Sequence, residues 1–169
     1  DRAADDLALL ADVAETAEAW AARDVSMPGV VGSLLQFLES AGGWGCALDV
    51  DAIPVPPGVT LEDWIVCFPS YAFLLCGDPV KLFERFSAAG LMCRQIGVLD
   101  DSGVLRLRDT AGEAEVWDLT ATPLAALRPE GVSPRIARTL QASAALSLER
   151  RVPAARRCGR PHRDNRRPP

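Results

Sequence analysis

Asp24-Val25-Ser26-Met27-Pro28-Gly29-Val30-Val31-Gly32-Ser33-Leu34-Leu35 sets a carboxylate, a hydroxyl and two glycines where a loop passes into an apolar helix. Ser26 reads as the helix N-cap, and Pro28 is tolerated in a first turn. Val31, Leu34, Leu35 and Leu38 repeat at helical spacing as a buried stripe, and Gly42-Gly43 ends it. A helix that starts this way presents unpaired N–H groups and the positive end of its dipole, which suits a phosphate. An acid just ahead of it, Asp24, can hold the divalent cation that accompanies a nucleotide. Each residue also has a structural reading. Asp24 can simply precede a helix, Ser26 can cap it, and Gly29 and Gly32 can serve either ligand approach or helix packing.

Working outward, residues 5–23 are alanine-rich with Leu7, Leu10, Ala14 and Ala17 in phase, which predicts one amphipathic helix. Cys46, Leu48 and Val50 alternate with Ala47, Asp49 and Asp51, which predicts a strand over 46–51 with both aspartates on one face. Residues 53–58, Ile-Pro-Val-Pro-Pro-Gly, must be extended. Thr60 is placed to cap a short helix ending at Trp64. The apolar run 65–76 reads as a central strand interrupted at Pro69. Asp78-Pro79 opens a helix to Ala89 with Val80, Phe83 and Phe86 inward. Residues 92–99 and 104–108 flank Asp100-Asp101-Ser102-Gly103 as a hairpin, and 115–119 adds a strand after Gly112. Residues 133–148 read as a last helix. The fold class expected is α+β, helices packed on a mixed β-sheet.

Length and composition fit one domain: 169 residues, about half of them apolar. No apolar stretch approaches a membrane span, and no segment resembles a signal peptide, so a cytoplasmic location is expected. The net charge of −5 divides unevenly. Eight arginines against Glu149 and Asp164 give residues 149–169 a charge of +6, which leaves −11 on residues 1–148. The acidic body argues against nucleic acid as its partner; only the Arg/Pro-rich tail, expected to be disordered, could bind it. Five cysteines without a Cys-x-x-Cys pair suit reduced, buried thiols better than disulfides or zinc. His162, the sole histidine, lies in the tail, so the body has no Ser-His-Asp or Cys-His catalytic set.

Three stretches in order carry a family resemblance: Asp24 to Leu34, then Ala47-Leu-Asp-Val-Asp-Ala-Ile-Pro54, then Gln95-Ile-Gly-Val-Leu-Asp-Asp-Ser-Gly-Val-Leu-Arg-Leu107. Residues 5–119 resemble the C-terminal domain of the aminoimidazole-ribonucleotide (AIR) synthetase, thiamine-monophosphate kinase and selenophosphate synthetase superfamily (PurM-like). The first stretch is similar to its Asp-x-Ser/Thr-x-x-Gly loop and helix. Phe68-Pro-Ser-Tyr-Ala-Phe73 and Val116-Trp-Asp-Leu119 look closest to AIR-synthase-like proteins of bacterial nitrogen-starvation gene clusters.

The resemblance implies a PurM C-terminal-domain-like sandwich over residues 1–125, a possible helix over 126–148 and a tail over 149–169. It also implies a larger, homodimeric protein in which an N-terminal ATP-binding domain, absent from this chain, joins this one around ATP and Mg²⁺. The chain opens on Asp1, as expected of such a piece. The function implied is half of an ATP- and Mg²⁺-dependent phosphotransferase or ATP-driven synthetase acting on a small molecule, inactive alone. Asp24 would meet the metal, with Ser26, Met27, Gly29 and Gly32 at the nucleotide phosphates and Ser70 and Tyr71 at the substrate. Two departures stand out. Met27-Pro28 lacks the kinases' second loop aspartate, and Pro69-Ser70 replaces the acids of their Gly-Glu-Asp-Tyr. These put thiamine phosphate as substrate in doubt and leave open a non-catalytic binding or assembly module. Trp44, Trp64 and Trp117 could line a ring pocket or pack the core, and Asp49 and Asp51 could act on substrate or face solvent.

Overall fold

The computed structural model describes residues 2–68 and 70–125, and the backbone of 144–149. Helix α1 (Arg2–Glu15) leads to β1 (Ala19–Asp24), α2 (Gly29–Ser40) and β2 (Gly45–Asp49). A 3₁₀ turn (Val50–Ala52) and α3 (Leu61–Trp64) precede β3 (Phe73–Gly77) and α4 (Pro79–Ala88). Then come β4 (Met92–Gln95), β5 (Gly97–Asp100), β6 (Val104–Arg108), β7 (Glu113–Asp118) and β8 (Ala144–Glu149). The strands form two four-stranded sheets, β1-β3-β8-β4 and β5-β2-β6-β7. The first is antiparallel throughout. The second is mixed, because β2 runs parallel to β6. The α+β class is therefore as expected, with two sheets in place of one.

Both faces of β3 are buried. Leu74 and Cys76 join the larger core with α2, Cys46 and Leu48 of β2, Leu105 of β6 and Trp64. Leu75 joins the smaller core with Val13 of α1, Leu82 and Phe86 of α4, and Cys93 of β4. Helix α2 is buried nearly all round: Val30, Ser33, Leu34, Leu35, Phe37, Leu38 and Glu39 are all shielded. An apolar helix of this kind belongs in the interior. Its buried Glu39 accepts hydrogen bonds from the Leu124 amide at 2.8 Å and the Ala125 amide at 3.0 Å.

Several sequence expectations are corrected. The helix over 5–23 stops at Glu15, because Ala17 turns left-handed (φ 56°) and Glu18 N–H reaches back to Val13 C=O at 3.0 Å. Trp20 then falls in a bulge of β1 opposite β3. In α4, Phe86 and Leu82 point inward while Val80 and Phe83 are exposed. The run 65–76 is a strand only from Phe73, and 92–99 is two strands, one in each sheet, broken at buried Ile96. β5 and β6 form no hairpin, since β2 lies between them. Residues 144–148 are strand, not helix; Leu146-Ser147-Leu148-Glu149 alternates at the strand period, and both β3 and β4 offer it a ladder. The rest of that predicted helix, and the tail from 150, lie outside the described residues. Asp78 caps α4 through the Val80 amide at 3.0 Å, and Thr60 caps α3 through the Asp63 amide at 3.2 Å, both as expected.

Replacing Glu39 by Ala leaves those two amides without their carboxylate and opens a void at the end of α2. It is expected to cost about 2–3 kcal/mol in urea unfolding, whereas Ala at exposed Glu62 should change stability by no more than about 0.5 kcal/mol.

Candidate functional site

Strands β1 and β3 bring two of the sequence-predicted stretches to one corner. Asp24 stands opposite Phe73, and Val25 N–H donates to Ala72 C=O at 2.8 Å. The ladder thus places residues 24–26 beside 71–73, with Ser70 one position further along. Strand alternation puts Asp24 on the face of Phe73, while Arg23 and Val25 turn toward α2. Arg23 donates to Gln36 Oε1 of that helix. The Asp24 side chain is exposed, with no hydrogen bond or ion pair to another described residue.

Beyond Val25 the chain turns into α2. Pro28, not Ser26, occupies the N-cap, and no side chain caps the helix. Ser26 serves the turn through its backbone: its N–H donates to Ser33 Oγ at 3.0 Å, and its C=O accepts from Gly29 N–H at 2.9 Å. Val30 N–H donates to Ile65 C=O at 2.8 Å. The Gly29 and Val30 amides are thus already paired within the protein. Gly29 holds φ 69°, and a Cβ there would lie 2.0 Å from Ile65 O, so its smallness admits the chain's own loop. A Cβ on Gly32 would meet the Pro28 ring at 2.5 Å, so that glycine seats the N-cap proline. Met27 is 77% exposed at the tip of the turn.

The facing loop carries Ser70 and Tyr71. Ser70 Oγ is shielded from solvent and has no hydrogen-bond partner among the described residues. A buried hydroxyl left this way carries a cost of about 1–3 kcal/mol. Tyr71 sits in the left-handed region (φ 55°), rare for a bulky residue, with its half-exposed ring edge-on to Phe73 at 6.4 Å. The corner therefore joins an exposed carboxylate, a hydroxyl without a partner and a phenol on a strained backbone. Among the described residues no three His, Cys, Asp or Glu side chains converge as a metal cluster.

The remaining candidates are engaged elsewhere. Asp49 pairs with Arg108 at 3.5 Å, and Asp51, in the 3₁₀ turn rather than the strand, accepts from the Thr110 amide at 3.2 Å. Trp64 is buried in the core, and the Trp44 and Trp117 indoles donate to Ala41 C=O and Thr122 C=O. Sequence reading overlooked Arg23 and Gln36, because a polar pair inside an apolar stripe has no periodic signature.

Over 119 residues, 69% of this chain, the sequence is 38% identical to an uncharacterised protein of Synechocystis sp. (strain ATCC 27184 / PCC 6803 / Kazusa). The chain spans 37% of that relative's length. No protein-family profile matches the chain, and no solved structure matches it. No helix among the described residues is long and apolar enough to cross a membrane.

Burial raises the thiols of Cys46, Cys76 and Cys93 to about 12. At pH 8 such thiols are ionised to only about one part in ten thousand, which leaves them inert as nucleophiles. Native alkylation with iodoacetamide at pH 8, followed by peptide mass spectrometry, should label half-buried Cys67 and spare these three until denaturant is added. Because their folded values are raised, these thiols favour the fold fully below pH 9. That contribution should fade between pH 9 and 12 as the unfolded chain ionises first.

Proposed function

We propose that this chain is the C-terminal, PurM-like half of an ATP- and Mg²⁺-dependent phosphotransferase or ATP-driven synthetase, and that the β1–β3 corner is its share of the phosphate and substrate cleft. The observation that carries this reading is the β1–β3 ladder and the 2.8 Å bond from Val25 N–H to Ala72 C=O that continues it. It gathers Asp24, Ser26, Ser70 and Tyr71, the residues singled out by the family resemblance from two segments more than forty positions apart. The donor set fits the cation: hard oxygen ligands with one open carboxylate suit Mg²⁺, which binds through one or two carboxylates plus phosphate oxygens. When bound, Mg²⁺ supplies charge neutralisation at the phosphates.

In this reading Asp24 holds the cation, and Ser26 contributes its hydroxyl near the phosphates. Met27, Gly29 and Gly32 shape the turn. The paired Gly29 and Val30 amides contribute rigidity to it. The half-exposed Tyr71 phenol orients the acceptor molecule, with Ser70, its Oγ shielded from solvent, behind it in the same loop. The N-terminal domain supplies the nucleotide-binding segment, and the complete cytoplasmic protein is a homodimer. A second reading, a non-catalytic assembly module, draws on the apolar surface around the same corner: Met27, Val66 at 67% and Phe68 at 54% exposure.

Titration calorimetry with Mg-ATP on this chain joined to its N-terminal half distinguishes the two. Under the enzyme reading, Asp24→Asn lowers affinity about tenfold or more, with the fold intact because Asp24 is exposed. The chain alone gives no ATP-dependent product. Mg-ATP binding indifferent to the substitution removes Asp24 from the site and favours the assembly module.

A further inference from the structure

The outward side of α4 faces a cleft of about 780 Å³ that none of the residues from 24–29 or 65–71 lines. Its walls are the extended connector through Ile53 and Val55, the first turns of α4, and β4, an outer strand of its sheet. Val80 and Phe83 stand in it 64% and 54% exposed. Two large apolar side chains three residues apart on a helix form a continuous surface, and here they border a concavity. The size falls within the range of small-molecule sites, which are mostly apolar with a few polar groups to fix orientation.

The polar groups point to the ligand's charge. The cleft's two charged residues are Asp51 and Arg94. Asp51 already accepts the Thr110 amide. Arg94 is exposed and forms no ion pair among the described residues, unlike Arg85, Arg106 and Arg108, which are all paired with acids. A guanidinium with no ion pair among the described residues, lining the same cleft as an exposed aromatic ring, suits an anionic head on an apolar body, since Arg binds planar or tetrahedral oxyanions in a fork.

We propose that this cleft is a binding site for a small organic anion with a flat apolar body, the ring lying on Phe83 and Val80 and the anionic group on Arg94. The probe is 1-anilinonaphthalene-8-sulfonate, titrated by fluorescence into the full 169-residue chain, with uncharged N-phenyl-1-naphthylamine as its comparison. Arg94→Gln should weaken the sulfonate about tenfold and leave the neutral dye within about twofold. Phe83→Ser should weaken both. Lys81→Gln, on the same helix but outside this cleft, should change neither. All these side chains are exposed, so circular dichroism should be unaltered in each variant. Sulfonate binding untouched by both Arg94→Gln and Phe83→Ser, or weakened equally by Lys81→Gln, overturns the assignment.

Discussion

Helix α2 is surrounded by protein on nearly every side, and much of the architecture follows from that. A buried helix cannot leave its terminal amides and carbonyls to water, so the chain itself must supply partners. At the N-terminus Ser26 C=O takes the Gly29 amide and Ile65 C=O takes the Val30 amide. At the other end the Ala41, Gly42 and Gly43 amides take the Phe37, Glu39 and Leu38 carbonyls, and the buried Glu39 carboxylate, itself in need of donors, takes the Leu124 and Ala125 amides. The first of these requirements pulls the 65–66 segment against Gly29, where a side chain has no room. The loop that continues from it to β3 carries Ser70 and Tyr71. The composition of the candidate site is thus tied to how a core helix satisfies its own backbone.

Helix ends show why parts of this fold could be read from sequence and parts could not. The same closing motif ends three helices. Gly43 N–H reaches Leu38 C=O after α2, and Leu91 N–H reaches Phe86 C=O after α4, each past a left-handed glycine. After α1, Glu18 N–H reaches Val13 C=O in the same way, but the left-handed residue is Ala17. Gly42 and Gly90 announce their turns; an alanine in an alanine-rich run does not. Strand β1 was concealed for that reason, since Ala19-Trp20-Ala21-Ala22 continues a helical composition and becomes strand only by pairing with β3.

Strand pairing was hidden in a different way. The turn at Asp100-Asp101-Ser102-Gly103 is real and held by its own side chains, with Asp100 Oδ1 accepting the Ser102 amide at 2.9 Å. Turn chemistry fixes a reversal of the chain, not which strands become neighbours. Here Cys46 and Leu48, wholly buried, take β2 into the centre, and β5 and β6 are displaced to either side of it. Gly45 lets the turn fold over the start of β2: a Cβ there would lie 2.2 Å from both Asp100 Oδ1 and Ser102 Oγ. Likewise, helical phase alone assigned Val80 and Phe83 inward, whereas the sheet meets α4 along Leu82 and Phe86. Periodicity identifies a stripe, and only the tertiary partner chooses among adjacent ones.

These corrections alter how the β1–β3 corner could meet a phosphate. The α2 terminus has two of its first amides committed to carbonyls, so recognition of an anion by that helix is weaker than the bare sequence suggests. The exposed charged side chain at the corner, Asp24, is itself an anion, on a body whose sequence carries −11 over residues 1–148, while Arg23 is turned to Gln36 of α2. A triphosphate approaching such a surface is repelled unless positive charge arrives with it. Under the proposed reading the divalent cation is therefore the electrostatic condition for nucleotide binding, bridging Asp24 and phosphate oxygens that would otherwise oppose each other. The same argument makes the half-exposed Tyr71 phenol, a hydroxyl that can donate, the group best suited to touch a polar acceptor without adding to that repulsion.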